Sequence, residues 1–596
     1  MNRLLEKTFE NRGYASDFLD DILTCNHSIP FGTDILCNYL DSYRQSQDLI
    51  VLLTDFDFDG ICSGVIGLAG LAELGFNVAL YLPDVSKGYG FDKDTIDDLI
   101  AKYPDVKCIM TGDVGISAYD GITYAKSLGL SVFVTDHHKE PKNKVQVAAD
   151  VVVDPNRKVD TLSYANICGA NVMYQILRYY AEYHMPNDCG HYMSQIDRLR
   201  VFAGFGTISD SMPLYYENRP MVMDAIHICR MVYGDGSSQM ADMIDGCDIY
   251  RRVFVGLREL FLMYADAGKI SKNADITEDF IGYYIAPMFN SIKRLNGDIF
   301  HAYNVFFGGV TNAKDSLLYL FDLNEQRKQL VQQKFAEMFL TNQPWAPYVY
   351  LTDAISGICG LLAQKVMSIT GMPSFVVHSN LDKNDENAYS GSGRCPSWFP
   401  FLDVGMFPNC GWVAAGHNPA FGFGCLDDDA MDRLVVFLQK QISRLKPSDE
   451  ELEFRPDFVI SEFNDGDADL DILLLSDYVH SLNLCRPFGA GFPEPVCEFR
   501  FSSKNVIWSV IGSDKSHLKL TFANGVAVLC FNQAVKIGAL IDKKTGNVNV
   551  DELPDKIIMH GKWSFNEFND VRTLQFMGDI VNLGDEYELQ EEQSVE

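Results

Sequence analysis

LIVLLTDFDFDG, residues 49–60, decides the reading. An apolar, β-branched run, Leu49 to Thr54, meets aspartates at alternate positions, Asp55, Asp57 and Asp59, and then Gly60. The small-residue pattern ICSGVIGLAGLAELG follows. The run predicts a buried parallel strand, and Gly60 the turn into a helix. The carboxylates then lie at the C-terminal edge of a sheet, where open α/β folds bind ligands. Three carboxylates this close repel one another unless they are protonated or bridged by cations. The plainer alternative is a polar strand end with a helix cap.

Two other acidic signatures do not fit. An EF-hand loop, D-x-D-x-D-G, needs Glu at its twelfth position, where this chain has Ile66. The D-x-D-x-[TV] strand end of haloacid-dehalogenase-type phosphatases is broken by Asp59, which stands where Thr or Val would. A metal-binding phosphoesterase strand remains, and the rest of the chain must supply the other ligands.

From 49 to about 155, strand-like runs alternate with helical ones: LIVLLT, NVALYLP, KCIMTG, LSVFVT and DVVVD. This βαβ series predicts a mostly parallel sheet. KCIMTG leads to Asp113, LSVFVT to Asp136-His137-His138, and DVVVD ends at Asp154. A later helical stretch, RLRVFAGFGTISDSMPL, delivers Asp210. Asp113 alone reads equally well as a turn residue, and Asp154, before Pro155, reads as one. The convergence of acidic and imidazole groups on one sheet edge is what points to a site. Carboxylates with one imidazole suit Mn²⁺ or Mg²⁺ better than zinc.

The 596 residues carry a net charge of −32. A nucleic-acid binder usually shows a basic footprint, so loose binding along duplexes is disfavoured. A narrow cleft with local Arg and Lys plus metal ions is still open to such a chain. Part of the acid lies in stretches that read as solvated faces, Asp449–Glu453 and the tail Gly584–Glu596. The fifteen Cys include no C-x-x-C pair and sit in apolar surroundings, as expected of reduced thiols in a cytoplasmic protein. No apolar run reaches membrane-span length, and MNRLLEKTFENRGY does not read as a signal peptide.

Residues 315–340 predict a long amphipathic helix. A second α/β unit starts near 345, with YVYLTD, GICGLLAQKVMSITG and PSFVVHS. Its Gly-rich stretches, SGSGR (390–394) and AAGHNPAFGFG (414–424), read as loops that bring backbone amides, Arg394 and His417 to a phosphate. From about 456, short alternating strands suggest a small barrel. Trp508, Phe522, Phe531 and Trp563 are candidates to stack bases there, with at least half of them expected to be core.

DFDFDG, GDVG, TDHHKEP and GTISDSMPL resemble, in order and spacing, the four motifs of the DHH phosphoesterase superfamily, most closely those of the RecJ single-stranded-DNA exonucleases. The resemblance continues through Lys87-Gly88-Tyr89-Gly90, DPNR…ICGANV (154–172) and IAPMFNSIKR (285–294). The last keeps Pro287, Asn290 and Arg294 of the family's P-R-x-N-A-x-G-R, but has Met288, Ser291 and Lys293 where the family has Arg, Ala and Gly. Gly416, His417, Ala420 and Gly422 match the G-G-H-x-x-A-x-G of the DHH-associated domain, with Ala415 departing; PFGAGFPEP (487–495) resembles P-F-G-x-G-N-P-E-P, with Phe492 for Asn.

The resemblance implies an α/β, two-lobed DHH phosphoesterase with a C-terminal OB-fold. It divides into a helical lead-in (1–45), a DHH domain with helical extension (46–314), a connecting helix (315–341), a DHH-associated domain (342–455), an OB-fold (456–585) and an acidic tail (586–596). It implies two Mn²⁺ or Mg²⁺ ions. Asp57, with Asp55 nearby, belongs to one; Asp59, His137 and Asp210 to the other; Asp113 bridges them. Asp136 orients an imidazole and His138 faces the substrate. Arg294, Arg394 and His417, with Gly391, Gly393 and Gly416, contact phosphate. The implied activity is 5′-to-3′ degradation of single-stranded DNA to 5′-mononucleotides, in cytoplasmic DNA repair and recombination. A single-stranded-DNA-binding protein or helicase is the implied partner, and no membrane. The alternatives are a DHH oligoribonuclease or cyclic-dinucleotide phosphodiesterase, which typically lack the barrel, and a replication scaffold that has lost its ligands, all of which are present here.

Overall fold

The computed structural model describes residues 2–14, 29–83, 90–140, 147–159, 166–234, 246–380, 387–448, 455–461, 472–512, 515–541, 548–568 and 571–583. Lys87, Gly88 and Tyr89, the acidic stretch 449–453 and the tail from 584 lie outside them. The chain forms two compact units. One comprises Leu23–Leu452 with Gly489–Gly491, and the other Met1–Ile22, Glu453–Phe488 and Phe492–Glu596.

In the first unit, β1 (Leu49–Thr54), β2 (Val78–Leu80), β3 (Val106–Gly112), β4 (Ser131–Thr135) and β5 (Val151–Val153) make a parallel sheet in the order β2-β1-β3-β4-β5. Along β1, Ile50 and Leu52 pack into one apolar cluster and Val51 and Leu53 into another. Helices cover both faces, so the strand reads as an unbroken apolar run rather than an alternating one. The strand order reverses at β1, so the ends of β1 and β3 flank the crevice where such sheets bind ligands. The helix Phe58–Glu73 is buried along most of its length. Its small residues permit close approach: a Cβ at Gly64 would stand 2.5 Å from the Tyr303 hydroxyl, which itself bonds Thr54 Oγ1 at 2.7 Å.

The helix Gly309–Leu340 starts ahead of position 315 and leads to a second sheet. Its strands are β6 (Val349–Leu351), β7 (Ser374–Ser379), β8 (Tyr389–Arg394), β9 (Trp412–His417) and β10 (Ala420–Cys425), in the order β6-β7-β8-β10-β9. Both Gly-rich stretches are therefore strands, not loops. SGSGR is β8, paired on both sides, so its amides are committed to the ladders with β7 and β10.

The second unit holds a seven-stranded sheet. Its strands are β11 (Phe458–Ser461), β12 (Cys497–Ser502), β13 (Val506–Ile511), β14 (His517–Phe522), β15 (Ala527–Cys530), β16 (Lys556–Phe568) and β17 (Val571–Leu583), in the order β11-β12-β16-β17-β15-β14-β13. The N-terminal lead-in is divided between the units. The helix Arg3–Asn11 belongs to this one: the Arg12 guanidinium forks onto the Asp457 carboxylate, with Nη2 at 2.8 Å, and Asn2 donates to Asp477. The helix Thr33–Ser46 belongs to the other. Of the four candidate stacking aromatics, Trp508, Phe522 and Trp563 are core residues and Phe531 is 51% exposed. Among the described residues the cysteines are free thiols, mostly buried, and no helix is long and apolar enough to cross a membrane.

Candidate metal centre

A local device aims each acidic strand end. Asp57 is the N-cap of the helix Phe58–Glu73 and accepts from the Gly60 N–H at 3.2 Å. Asp59, in the first turn, accepts from the Gly169 and Ala170 N–H groups at 2.7 and 3.1 Å. It thereby caps the helix Gly169–Tyr183, whose own N-cap residue, Cys168, supplies no capping bond. The cap alternative thus holds for both residues without removing them from the site. Asp55 Oδ1 takes the Phe56 N–H. Asp113 adopts a left-handed backbone, φ 64°, just past β3, and its N–H bonds the Thr135 carbonyl. A non-glycine residue held there marks a position where side-chain direction outweighs backbone comfort. Asp210 is the C-cap of the helix Cys189–Ser209.

These groups converge on His137. Its Nε2 lies 3.1 Å from Asp113 Oδ1, 3.5 Å from Asp210 Oδ2 and 3.9 Å from Asp59 Oδ2. Asp113 Oδ1 and His137 Nε2 are buried, and neither makes a hydrogen bond. A buried polar atom left unpaired costs on the order of 1–3 kcal/mol, and a cation between them would satisfy both. Three sets bring their ligand atoms within 4.8 Å of one another: Asp59/His137/Asp210, Asp113/His137/His138 and Asp55/Asp57/Asp113. This donor chemistry fits Mn²⁺ or Mg²⁺.

The electrostatics agree. Burial, then repulsion from the neighbouring aspartates, pushes the Asp113 and Asp210 carboxyls far above their usual range. Burial and the Asp57 charge raise Asp55 to about 7. Asp57 is also raised by burial, but Lys293 prevails and holds it below the usual value.

Asp136 accepts four bonds: from the N–H groups of Ile116 (2.9 Å), His137 (2.7 Å) and His138 (3.1 Å), and from His138 Nδ1 (2.8 Å). The imidazole it orients is thus that of His138. Burial alone would lower the His138 pKa, but the Asp136 hydrogen bond and charge raise it to about 9. Asp154 forms the turn read from the sequence, with Oδ1 taking the Asn156 N–H at 2.7 Å. It is nonetheless fully buried, with Oδ2 unpartnered, and burial and Asp136 raise its carboxyl to about 8. Asn156 in turn donates to the His137 carbonyl at 2.5 Å.

Arg294 and Arg394 are joined by a residue the sequence reading missed. Arg327 sits on the helix Gly309–Leu340, of which the sequence predicts only the amphipathic pattern. Burial lowers the pKa of all three guanidiniums, and the Arg294 charge lowers the other two further. None forms an ion pair among the described residues, and Arg294 donates only to the Gly357 carbonyl, at 3.2 Å. Mutually repelling, unpaired guanidiniums of this kind suit a phosphodiester. His417 stands exposed at the end of β9. Burial, then the nearby charges of Lys139, His138 and His137, depress its pKa. Gly391 and Gly393 have a packing cause. A Cβ at Gly391 would strike the Val376 backbone and one at Gly393 the Phe421 ring, so packing demands glycine there. Gly416 is exposed on the edge strand β9 at φ 139°.

Lys293 stands where the resembled family has Gly, and the sequence assigned it no partner. Its Nζ lies 3.1 Å from Asp55 Oδ2 and 3.1 Å from Asp57 Oδ2. The same helix, Ala286–Leu295, is held to the aspartate motif by Asn290, whose Oδ1 accepts from the Phe58 N–H at 2.8 Å.

Comparison with known proteins agrees with this geometry. The DHH family, N-terminal domain, matches residues 49–195, and the RecJ OB domain matches residues 466–579. The single-stranded-DNA-specific exonuclease RecJ of Haemophilus influenzae is 25% identical over 584 residues, covering 93% of this chain and 91% of the relative. RecJ of Bacillus subtilis is 24% identical, covering 89% of this chain and 61% of the relative. The crystal structure of RecJ in complex with Mn²⁺ from Thermus thermophilus aligns with a TM-score of 0.70 at 20% identity, over 99% of this chain and 77% of that one; its Mg²⁺ complex gives 0.67. The chain is RecJ-like in fold and domain content.

Proposed function

From a chain that joins a DHH domain to a RecJ OB domain, we propose a metal-dependent 5′-to-3′ exonuclease that degrades single-stranded DNA to 5′-mononucleotides, in cytoplasmic DNA repair and recombination. One observation carries the chemistry: buried, unpartnered Asp113 Oδ1 and His137 Nε2 face each other among Asp59 and Asp210. Asp59, Asp113, His137 and Asp210 would hold a divalent ion, which when bound lowers the pKa of a water and polarises the scissile phosphate. His138, cationic at neutral pH, offers its remaining ring N–H to a phosphate or leaving oxygen, and Asp136 fixes its orientation. Arg294, Arg327 and Arg394 hold the backbone, and Asn290 fixes the start of the Phe58–Glu73 helix against its neighbour.

End-labelled single-stranded DNA and RNA oligonucleotides, incubated with Mn²⁺, Mg²⁺ or EDTA, test the reading. Stepwise loss from the 5′ end of DNA, abolished by EDTA, is expected. Cleavage confined to RNA or to dinucleotides would replace it with the oligoribonuclease alternative, and activity persisting in EDTA would overturn the metal chemistry.

A further inference from the structure

The three ligand groups of the centre are not equivalent. Around His137, Asp113 Oδ1 and His137 Nε2 lack hydrogen bonds. At Asp55 and Asp57 the acceptors are served. Asp55 Oδ1 takes the Phe56 N–H, Asp57 Oδ1 takes the Gly60 N–H, and Lys293 Nζ lies 3.1 Å from the Oδ2 of each. One half of the centre holds buried ligand atoms with no hydrogen-bond partner. The other half has an ammonium bonded to both of its carboxylates.

We propose that the Lys293 ammonium takes the place of a metal ion at the Asp55–Asp57 pair, so that this centre binds one divalent ion, at Asp59, Asp113, His137 and Asp210, instead of two. The proposal rests on the metal-centre reading above and refines it.

Three features hold the lysine in place. Its helix is anchored by Asn290 to the Phe58 N–H one residue from Asp57, and Ile292 beside it is fully buried. Its side chain is 36% exposed, and its head meets both carboxylates. Both carboxylates bond one ammonium, which neutralises one of their two charges and occupies the side a dication would approach. A second ion there would meet a fixed positive charge at close range and would have to evict it from two charge-assisted bonds. The ammonium replaces part of what a second ion supplies, namely a positive charge beside the phosphate. It cannot replace the activation of a second water.

The test counts ions rather than turnover. Full-length protein is loaded with Mn²⁺, freed of weakly bound ions by desalting, and assayed by elemental analysis and electron paramagnetic resonance. Wild type should retain one Mn²⁺ per chain, with the hyperfine-resolved signal of an isolated ion. Lys293→Ala should retain two, with the broadened signal of neighbouring ions, and Lys293→Arg should return to one. Wild type with two ions, or Lys293→Ala with one, overturns the inference while leaving the metal centre intact. No retained ion in any variant overturns the metal-centre reading and this inference with it. The wild-type count is decisive even if a variant fails to fold.

Discussion

Gly169→Ala tests whether the centre depends on the placement of Asp113 to within a fraction of an ångström. Gly169 opens the helix Gly169–Tyr183, and its N–H bonds Asp59 Oδ2 at 2.7 Å. A Cβ built on it lies 2.5 Å from Asp113 Cβ and 2.6 Å from Asp113 Oδ1. Ordinary van der Waals contact begins near 3.4 Å, so the carboxylate must retreat by about 0.8 Å. Asp113 has little freedom to do so, being buried and held at φ 64° with its N–H tied to Thr135. Metal–ligand distances tolerate only about 0.2 Å, and a misplacement near 1 Å costs on the order of 10²-fold in rate. Mn²⁺ affinity and single-turnover cleavage should each fall by about that factor, while overpacking costs about 1–3 kcal/mol of stability. Calorimetric Mn²⁺ titration, with a thermal melt to confirm folding, measures the effect. Gly190→Ala, where a Cβ meets open space, is the control and should change neither. A folded Gly169→Ala protein with wild-type Mn²⁺ affinity would refute the reasoning.

Asp113→Asn, which tolerates the left-handed backbone, should lower cleavage by at least about 10³-fold. Single-strand affinity at one fixed salt concentration should fall far less, because Arg294, Arg327 and Arg394 remain. The metal-free protein should lose stability as pH rises. Asp55 and Asp154 have folded pKa values of about 7 and about 8 against a usual 3.8, so their contribution is whole below 3.8 and is lost as pH rises through those values. His138, at about 9 against 6.5, acts with the same sign up to about 9. Mn²⁺ displaces the protons of its own ligands, Asp59, Asp113 and Asp210, whose carboxyls burial holds above their usual range, so the Mn²⁺-induced rise in Tm should grow with pH; a rise that shrinks would contradict the assignment. Asp154→Asn keeps the turn with an uncharged group, so cleavage near neutral pH should be little changed and the metal-free protein should hold its Tm better above about pH 8; a large loss of cleavage would make Asp154 a ligand.

Legibility followed physical cause. β1 and β3–β5 were readable because strands covered on both faces leave uninterrupted apolar runs, and the ligands because they stand at the ends of those runs. β11 was not, since four residues of FVIS carry too little pattern. The glycines of SGSGR and AFGFG were taken for ligand loops because a sequence does not distinguish a glycine needed for a turn from one needed so that Phe421 can pack. The base-stacking aromatics divided for a similar reason: Trp508 is as aromatic as Phe531, but its indole N–H is spent on the Ser503 carbonyl inside the sheet. Lys293 was legible only as a departure from the family's Gly, and Arg327 was hidden because a cation on a helix reads as a solvated face until the packing of that helix shows where it points.

That last point bears on the net charge of −32, the feature hardest to reconcile with a phosphodiester substrate. The overall charge governs long-range encounter and is screened beyond about 8–10 Å at ordinary ionic strength. Within that distance only the local groups count, and here three guanidiniums gather near the metal-centre carboxylates. Arg294, Arg327 and Arg394 form no ion pair among the described residues, the Arg294 charge lowers the pKa of the other two, and His138 and Lys293 add two further charges at the carboxylates. An anion that reaches Arg294, Arg327 and Arg394 meets guanidiniums without an ion pair among the described residues, while the chain as a whole repels it. On the proposed reading the charge pattern therefore favours a single strand threaded from its end over a duplex bound along its side. It also ties catalysis to whatever delivers that end. Raising salt should slow degradation of long single strands less than it slows a basic nuclease, because little of the encounter here is driven by long-range attraction. The comparison is the slope of log kcat/KM against log salt concentration on one oligonucleotide. A slope as steep as that of a protein making many phosphate contacts would show that the acidic surface does not govern encounter.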